Sequence, residues 1–170
     1  MDLERREASP VEIGVLLMDA VCTPSAQEQH ALSELAIHLG VELERIQTEL
    51  LYLRAFAVDF ALALSLGESP AKEAITTHYY SHWDLVAREA DEGLLEDLQL
   101  RLAAYARVVG DADANPDGLK GQVGQLFADN CQGGGQSQDL ALLGGAMFAA
   151  LFEEVADLFN AVDIVLHEAP

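Results

Sequence analysis

The sequence lacks an apolar run long enough to cross a membrane. Its longest uncharged apolar stretch, Leu140–Phe152, has 13 residues, whereas a spanning helix needs about 20. We therefore interpret this stretch as a buried helix. The apolar run Ile13–Met18 is also too short for the core of a secretory signal, so we expect a cytoplasmic protein.

Cysteine is scarce as well. Cys22 and Cys131 are far apart and form no CxxC pair. A single disulfide between them would be allowed, but two buried free thiols are favoured.

Basic residues are few. The chain has 9 Lys and Arg against 29 Asp and Glu, a net charge of −20, and no Lys or Arg after Lys120. Such a surface repels nucleic-acid phosphates and anionic lipid heads, so we expect neither as a partner. Two interpretations of the charge remain open: a solvated face that keeps the protein soluble, or a docking surface for a basic protein partner.

The motifs of common enzyme classes are missing. The chain contains no GxSxG, no P-loop, no GxGxxG after a strand and no HExxH. It also has no Glu-x-x-His, the pattern of di-iron bundles. These absences favour a protein that is not an enzyme. We predict no cofactor, with a divalent metal ion as the alternative.

What is abundant points to helices. The chain is 51% hydrophobic and 22% charged, a globular composition, and it is rich in the good helix formers alanine, leucine, glutamate and glutamine. We predict an all-α fold, a single-domain bundle of about six helices over residues 10–170, after a flexible N-terminus at 1–9. A Gly-rich break at 133–135 precedes the last helix, predicted over 138–167, in which Gly144-Gly145 would let a neighbouring helix approach closely.

A long central helix is predicted from the apolar spacing. Between Leu32 and Leu64 the apolar positions recur at steps of three and four residues, with Gly40 as the point where the segment splits into two helices. From Leu50 to Leu66 the helix is apolar nearly all round, so it should lie at the centre of a bundle or in a subunit interface. The apolar excess here and in residues 140–166 predicts a homodimer.

Helix starts are marked by residues with capping side chains. Ser25 with Glu28 forms a capping box. Ser69 followed by Pro70 predicts an N-cap and a first helical position.

The segment from His78 to Asp84 holds two of the five histidines, two of the four tyrosines and the only tryptophan. On a helix, Tyr79 and Trp83 fall on the core stripe with His82, and His78 lies on its flank four residues back. Two histidines at i and i+4 can bind one metal ion from one helical face.

A complete metal site needs a third ligand from another helix. We predict Asp59, with Glu49 and Glu153 as alternatives, and predict Tyr80 to point away from the histidines. The same cluster of Tyr79, His82 and Trp83 would line a small-molecule site. The competing interpretation is that both histidines lie at the edge of the core and are hydrogen-bonded to neighbours.

Two loop-like stretches resemble known motifs only in part. Asp113, Asn115, Asp117 and Gly118 match the start of an EF-hand loop, but Gly124 stands where a bidentate glutamate is required. We interpret this stretch as a turn-rich linker. Residues 35–46 resemble a DNA-binding helix-turn-helix, but the acids of the would-be recognition helix would face DNA phosphates, so a plain packing corner is favoured.

Two acid pairs were also considered for phosphate chemistry. Glu89-x-x-Glu92 and Glu154-x-x-Asp157 resemble the magnesium ligands of all-helical nucleotide pyrophosphohydrolases. The pairs lie some 60 residues apart and no basic cluster is near either one. Solvated helical faces explain them better.

Two functions follow from the sequence. The first is a cytoplasmic protein–protein interaction module such as an adaptor, assembly chaperone or regulatory subunit, homodimeric and able to bind a basic partner. The alternative is a metal- or small-molecule-binding bundle with its site around His78 and His82.

Overall fold

The computed structural model describes residues 5–90, 92–111, 116–132 and 137–166. Seven α-helices and two short strands make up the regular structure of these residues. The helices are α1 (Pro10–Cys22), α2 (Ala26–Leu39), α3 (Leu43–Leu66), α4 (Pro70–Glu89), α5 (Leu94–Asp111), α6 (Pro116–Gln132) and α7 (Gln138–Ala161). The strands are β1 (Arg6–Ala8) and β2 (Val162–Ile164). The predicted all-α helical bundle is confirmed, with one helix more than the expected six.

Helices α1 and α2 begin with capping boxes. At the predicted box of α2, the Ser25 backbone N–H donates to the Glu28 carboxylate at 2.7 Å, and the Glu28 N–H donates to Ser25 Oγ at 3.1 Å. These bonds satisfy backbone donors that a helix leaves free at its start. Ser69 caps α4 ahead of Pro70, also as predicted.

Gly40 separates α2 from α3. It adopts a left-handed conformation with φ of 66° at the end of α2, a conformation that glycine reaches at little cost. The stretch that resembles a helix-turn-helix is thus a tight corner between two helices.

Helix α3 contacts each of the other six helices. Its side chains are buried or half-buried all round from Glu49 to Leu62, whereas Leu64 in the last turn is 63% exposed. The part of α3 that is covered by other helices on all sides therefore ends about one turn before Leu66, where the sequence predicted the all-round apolar stretch to end. Three charged residues lie within this stretch, the buried Glu49 and Arg54 and the half-buried Asp59, so its interior is not purely apolar.

Pairs of aromatic rings join α3 to α7, one stacked and one tilted. Phe56 lies 5.7 Å from Phe148, and Phe60 lies 5.6 Å from Phe152, between ring centroids. Equal four-residue steps on both helices show that α3 and α7 run side by side in the same direction. Offset ring pairs of this kind add stabilisation beyond the area that they bury.

Glycines allow α6 and α7 to pack very closely. A Cβ atom on Gly145 would lie 2.6 Å from the Lys120 carbonyl oxygen, and one on Gly124 would lie 2.8 Å from the Gly145 nitrogen. Both distances are too short for a real Cβ atom. The predicted close approach at Gly144-Gly145 is confirmed, and α6 is the neighbour.

The two strands form a small parallel sheet. Arg6 pairs with Val162 and Ala8 with Ile164. Residues 6–8 are therefore held in place rather than flexible, and the last helix ends at Ala161 instead of the predicted 167. The β-branched residues after Ala161 favour an extended chain, but their partner strand lies more than 150 residues away, beyond the reach of local sequence patterns.

Both cysteines are free thiols. Cys131 is buried, as predicted, but Cys22 is exposed at the end of α1. Burial raises the pKa of the Cys131 thiol to about 12, which leaves it unreactive as a nucleophile at neutral pH.

Two sequence predictions concern residues outside the described part. Residues 113 and 115 of the EF-hand-like stretch and the Gly-rich break at 133–135 lie outside the described residues. The structure therefore tests neither prediction. Among the helices that are described, none combines the length and apolar character needed to span a membrane.

Candidate functional sites

The predicted aromatic and histidine cluster lies on α4, where α1 and α3 cover it. Tyr79 and Trp83 are fully buried, while His78 and His82 are half-buried. Gly14 of α1 packs directly against α4 here. A Cβ atom at this position would lie only 3.0 Å from His78 Cβ. Tyr79 and Trp83 lie on the core stripe of α4 as predicted, whereas His82, predicted to lie on the stripe, is only half-buried, as is His78.

Asp59 on α3 is bonded to Tyr80. The Tyr80 hydroxyl donates to Asp59 Oδ2 at 2.5 Å, so a tyrosine rather than a histidine of α4 is the hydrogen-bond partner of Asp59. Burial raises the pKa of Asp59 from 3.8 to about 6, although the Tyr80 hydrogen bond and Lys72 act to lower it. Burial also raises the pKa of Tyr80, so the tyrosine remains the donor at neutral pH.

Two polar atoms beside this pair lack hydrogen-bond partners. The Tyr79 hydroxyl and the Trp83 indole nitrogen form no hydrogen bond of normal geometry with any described residue, although the two rings are in edge contact at 6.4 Å. A buried polar group without a partner costs about 1–3 kcal/mol. Such groups offer hydrogen bonds to a bound water or small molecule.

The predicted metal ligands are not gathered into one cluster. Asp59 is engaged by Tyr80, Glu49 pairs with Arg101, and Glu153 is exposed on α7. Within the described ranges, no group of three or more His, Cys, Asp or Glu side chains could hold a metal ion. The metal site around His78 and His82 therefore stays a prediction.

A second polar cluster, not predicted from the sequence, joins α3, α5 and α6. Glu49 accepts two hydrogen bonds from Arg101, at 2.6 and 2.8 Å. The buried Tyr105 hydroxyl faces the Asn130 side chain without a hydrogen bond of normal geometry. Because Glu49 and Arg101 satisfy each other, we interpret the cluster as a support for the packing of these helices.

An open groove lies between α2 and α7, and we call it the α2–α7 groove. Its volume is about 540 Å³. Its apolar lining comes mainly from α7. Its polar lining comes from the α1–α2 corner, from α2, from Arg54 of α3 and from Glu154 of α7. The residues are Ala20, Thr23, Ser25, Gln27, Glu28, Ala31, Arg54, Leu143, Ala146, Met147, Ala150, Leu151 and Glu154.

Arg54 fixes the inner wall of this groove. It is only 6% exposed and donates to the Ala20 and Val21 carbonyl oxygens, at 3.1 and 3.2 Å from its Nε. It also pairs with the Glu28 carboxylate at 3.1 Å. The guanidinium thus bonds the last-turn carbonyls of α1 to the first turn of α2 and sets the position of the α2 wall.

Sequence reasoning missed the groove. The only sequence signal is the small, exposed pair Ala146 and Ala150, one turn apart on α7. The acid pairs Glu89/Glu92 and Glu154/Asp157 are all exposed, as expected of solvated helical faces.

Comparisons of the chain with protein-family models, with curated proteins and with solved structures found no match.

Proposed function

We propose that this protein is an acidic helical interaction module, an adaptor, assembly chaperone or regulatory subunit, that binds a basic segment of a partner protein. The observation that carries this proposal is the acidic end of α7. Glu153, Glu154 and Asp157 are exposed there, beside an open apolar groove. No Lys or Arg follows Lys120 in the sequence to balance them.

Several of the basic residues are engaged in bonds within the fold. Arg54 and Arg101 are each paired with a carboxylate, and so are Arg5 and Lys72. Arg45 donates to the Asn130 carbonyl oxygen. Five of the nine Lys and Arg residues are thus engaged within the fold.

A field of one sign favours an oppositely charged partner. It speeds diffusional encounter and discriminates against acidic partners. Because the Debye length is about 8 Å at physiological ionic strength, the attraction is strongest where acids and the contact surface adjoin. The acids of α7 meet that condition.

The proposal includes self-association as a homodimer and a cytoplasmic location. Large apolar side chains remain exposed on several helices and support a further interface. They include Val11, Val15 and Leu16 on one face of α1, of which Val11 is 51% exposed. Sedimentation equilibrium of the untagged protein tests the dimer, and a single species of monomer mass at high concentration would refute it.

Carbodiimide cross-linking tests the proposed binding of a basic partner, because this reagent joins carboxylates to partner lysines. We expect cross-links from Glu153, Glu154 and Asp157, and few from Glu89, Glu92 and Glu96. These three control acids are equally exposed on α4, α5 and the turn between them.

Matched charge variants then measure the contribution of the α7 acids. The triple variant Glu153→Gln, Glu154→Gln, Asp157→Asn should bind the captured partner at least about tenfold more weakly, a loss that corresponds to 1.4 kcal/mol. The control Glu89→Gln, Glu92→Gln, Glu96→Gln carries the same change in charge and should bind nearly as the parent does. Equal loss in both variants would refute a specific acidic surface.

A second candidate function is ligand binding between α3 and α4. The specific observation in its favour is the unpartnered Tyr79 hydroxyl and Trp83 indole nitrogen next to Asp59. Calorimetric titration with Zn²⁺, and native mass spectrometry for other bound mass, test it. Binding that disappears in the variant His78→Gln, His82→Gln would support it, and binding unaffected by that change would place the ligand elsewhere.

A further inference from the structure

The floor of the α2–α7 groove is shaped for close packing. Ala146 and Ala150 are exposed on α7, and Ala31 faces the groove from α2. Short side chains on a helical face let another helix approach to about 8 Å between axes. Below them, the largely buried Met147 and Leu151 form the apolar base of the groove.

The length of the groove fits a short helix. Its α7 side runs from Leu143 to Glu154, eleven residue steps that span about 16 Å at 1.5 Å per residue, or three turns. The opposite wall is held in place by the bonds from Arg54 to Glu28 and to the last-turn carbonyls of α1.

Charge selects the occupant. Glu154 lies on the α7 side with Asp157 one turn beyond it. Arg54, the only basic residue among the described residues that line the groove, is neutralised by Glu28. A second copy of this chain, if it docked its own acidic α7 end here, would bring like charges against these acids. An amphipathic helix with basic flanks instead matches both the apolar floor and the acidic rim.

We propose that the α2–α7 groove binds a single amphipathic helix of about three turns from the basic partner. Its apolar stripe packs on Ala146 and Ala150, and its Lys or Arg side chains lie over Glu154. This is the helix-in-groove mode of peptide recognition. The inference rests on the proposed function and adds the binding site and the form of the partner segment.

The test uses a labelled synthetic peptide of 14 residues made of leucine, alanine and lysine, arranged with one apolar face. Fluorescence anisotropy should show binding to the full-length protein. A peptide of the same composition without an apolar face, and one with glutamate in place of lysine, should bind at least about tenfold more weakly, since each removes one half of the amphipathic match.

Groove-filling variants locate the site. Ala150→Trp fills the floor without a change of charge and should weaken binding at least about tenfold, as should Ala146→Trp. Ala103→Trp, on an exposed position of α5, is the control and should leave binding unchanged. Thermal melting of each variant verifies the fold, and the two groove variants provide independent tests.

The possible outcomes separate the two proposals. Unchanged peptide binding in both groove variants overturns the inference, while the proposed function stands if the α7 charge variant still loses the partner. Equal binding of the shuffled peptide also overturns it, because charge alone would then explain the affinity. If Ala150→Trp converted a dimer to a monomer, or removed a bound small molecule, the groove would have another occupant. Either result would likewise overturn the inference.

Discussion

Replacing Gly124 by alanine should test how strongly the α6–α7 contact holds this bundle together. In a free helix the change is favourable by about 1 kcal/mol, because alanine has the better helix propensity. In the folded protein the new Cβ would overlap the Ala141 carbonyl oxygen and lie 2.8 Å from the Gly145 nitrogen. Both are backbone atoms of α7 and cannot rotate away.

The expected loss follows from that geometry. A carbon normally stays at least about 3.3 Å from a carbonyl oxygen, so α6 and α7 must separate by roughly 1 Å along this contact. Overpacking of this kind costs about 1–3 kcal/mol. Separation would also loosen the neighbouring contact at Gly145, whose own Cβ position lies 2.6 Å from the Lys120 carbonyl oxygen.

Gly121 provides the matched control. It lies one turn earlier on α6, is exposed, and a Cβ added there would meet no atom within 4 Å. Gly121→Ala should therefore stabilise the protein by up to about 1 kcal/mol. Because both variants share this gain in helix propensity, they should differ by the overpacking cost alone, about 1–3 kcal/mol. That difference corresponds to a Tm separation of about 2–12 °C for a chain of this size.

Urea and thermal unfolding followed by circular dichroism would measure both variants. If Gly124→Ala proves as stable as Gly121→Ala, the close approach of α6 and α7 is wrong, and with it the position of the α7 wall of the groove.

Three further predictions concern buried charge and thiols. The folded-state pKa of Asp59, about 6, lies above its unfolded value of 3.8, so its ionisation destabilises the fold fully above pH 6 and not at all below pH 4. Asp59→Asn should raise stability by about 1–2 kcal/mol at pH 7.5 after allowance for partial exposure, and urea unfolding at pH 4 should show no such gain. Arg54→Ala should lower the free energy of unfolding by about 3–5 kcal/mol, because it leaves a carboxylate and two carbonyl groups without their donor. Lys72→Ala, which removes an exposed ion pair, should lower it by less than about 1 kcal/mol. Equal shifts in Tm for the two variants would contradict this. Titration with a thiol reagent should find one reactive group, Cys22, in the native protein and a second, Cys131, only in urea, and two fast native thiols would contradict the burial of Cys131.

Much of the helical architecture was predictable because its signals are local. Capping boxes, the proline at the start of α4 and the glycine after α2 act within one or two turns, so their positions in the sequence indicate where helices begin and end. The burial of Tyr79 and Trp83 followed from helical periodicity in the same way. The small sheet was not predictable, since neither three-residue strand has meaning without the other.

The candidate sites were less predictable because they join distant segments. The sequence indicated Asp59 and the α4 cluster as neighbours, but suggested histidine rather than Tyr80 as the partner of Asp59. Helical spacing tells which face a residue occupies but not which side chain is long enough to reach across to another helix.

The sequence by itself determined the helical class of this protein, its acidic surface and the positions of its caps, because propensity, charge and capping depend on residues close together in the chain. The tertiary structure alone decided the groove between α2 and α7, the place of Arg54 in its wall and the pairing of β1 with β2. These depend on which helices become neighbours, and that choice is made by packing over the whole core, at Gly124 and Gly145 as much as at any exposed residue.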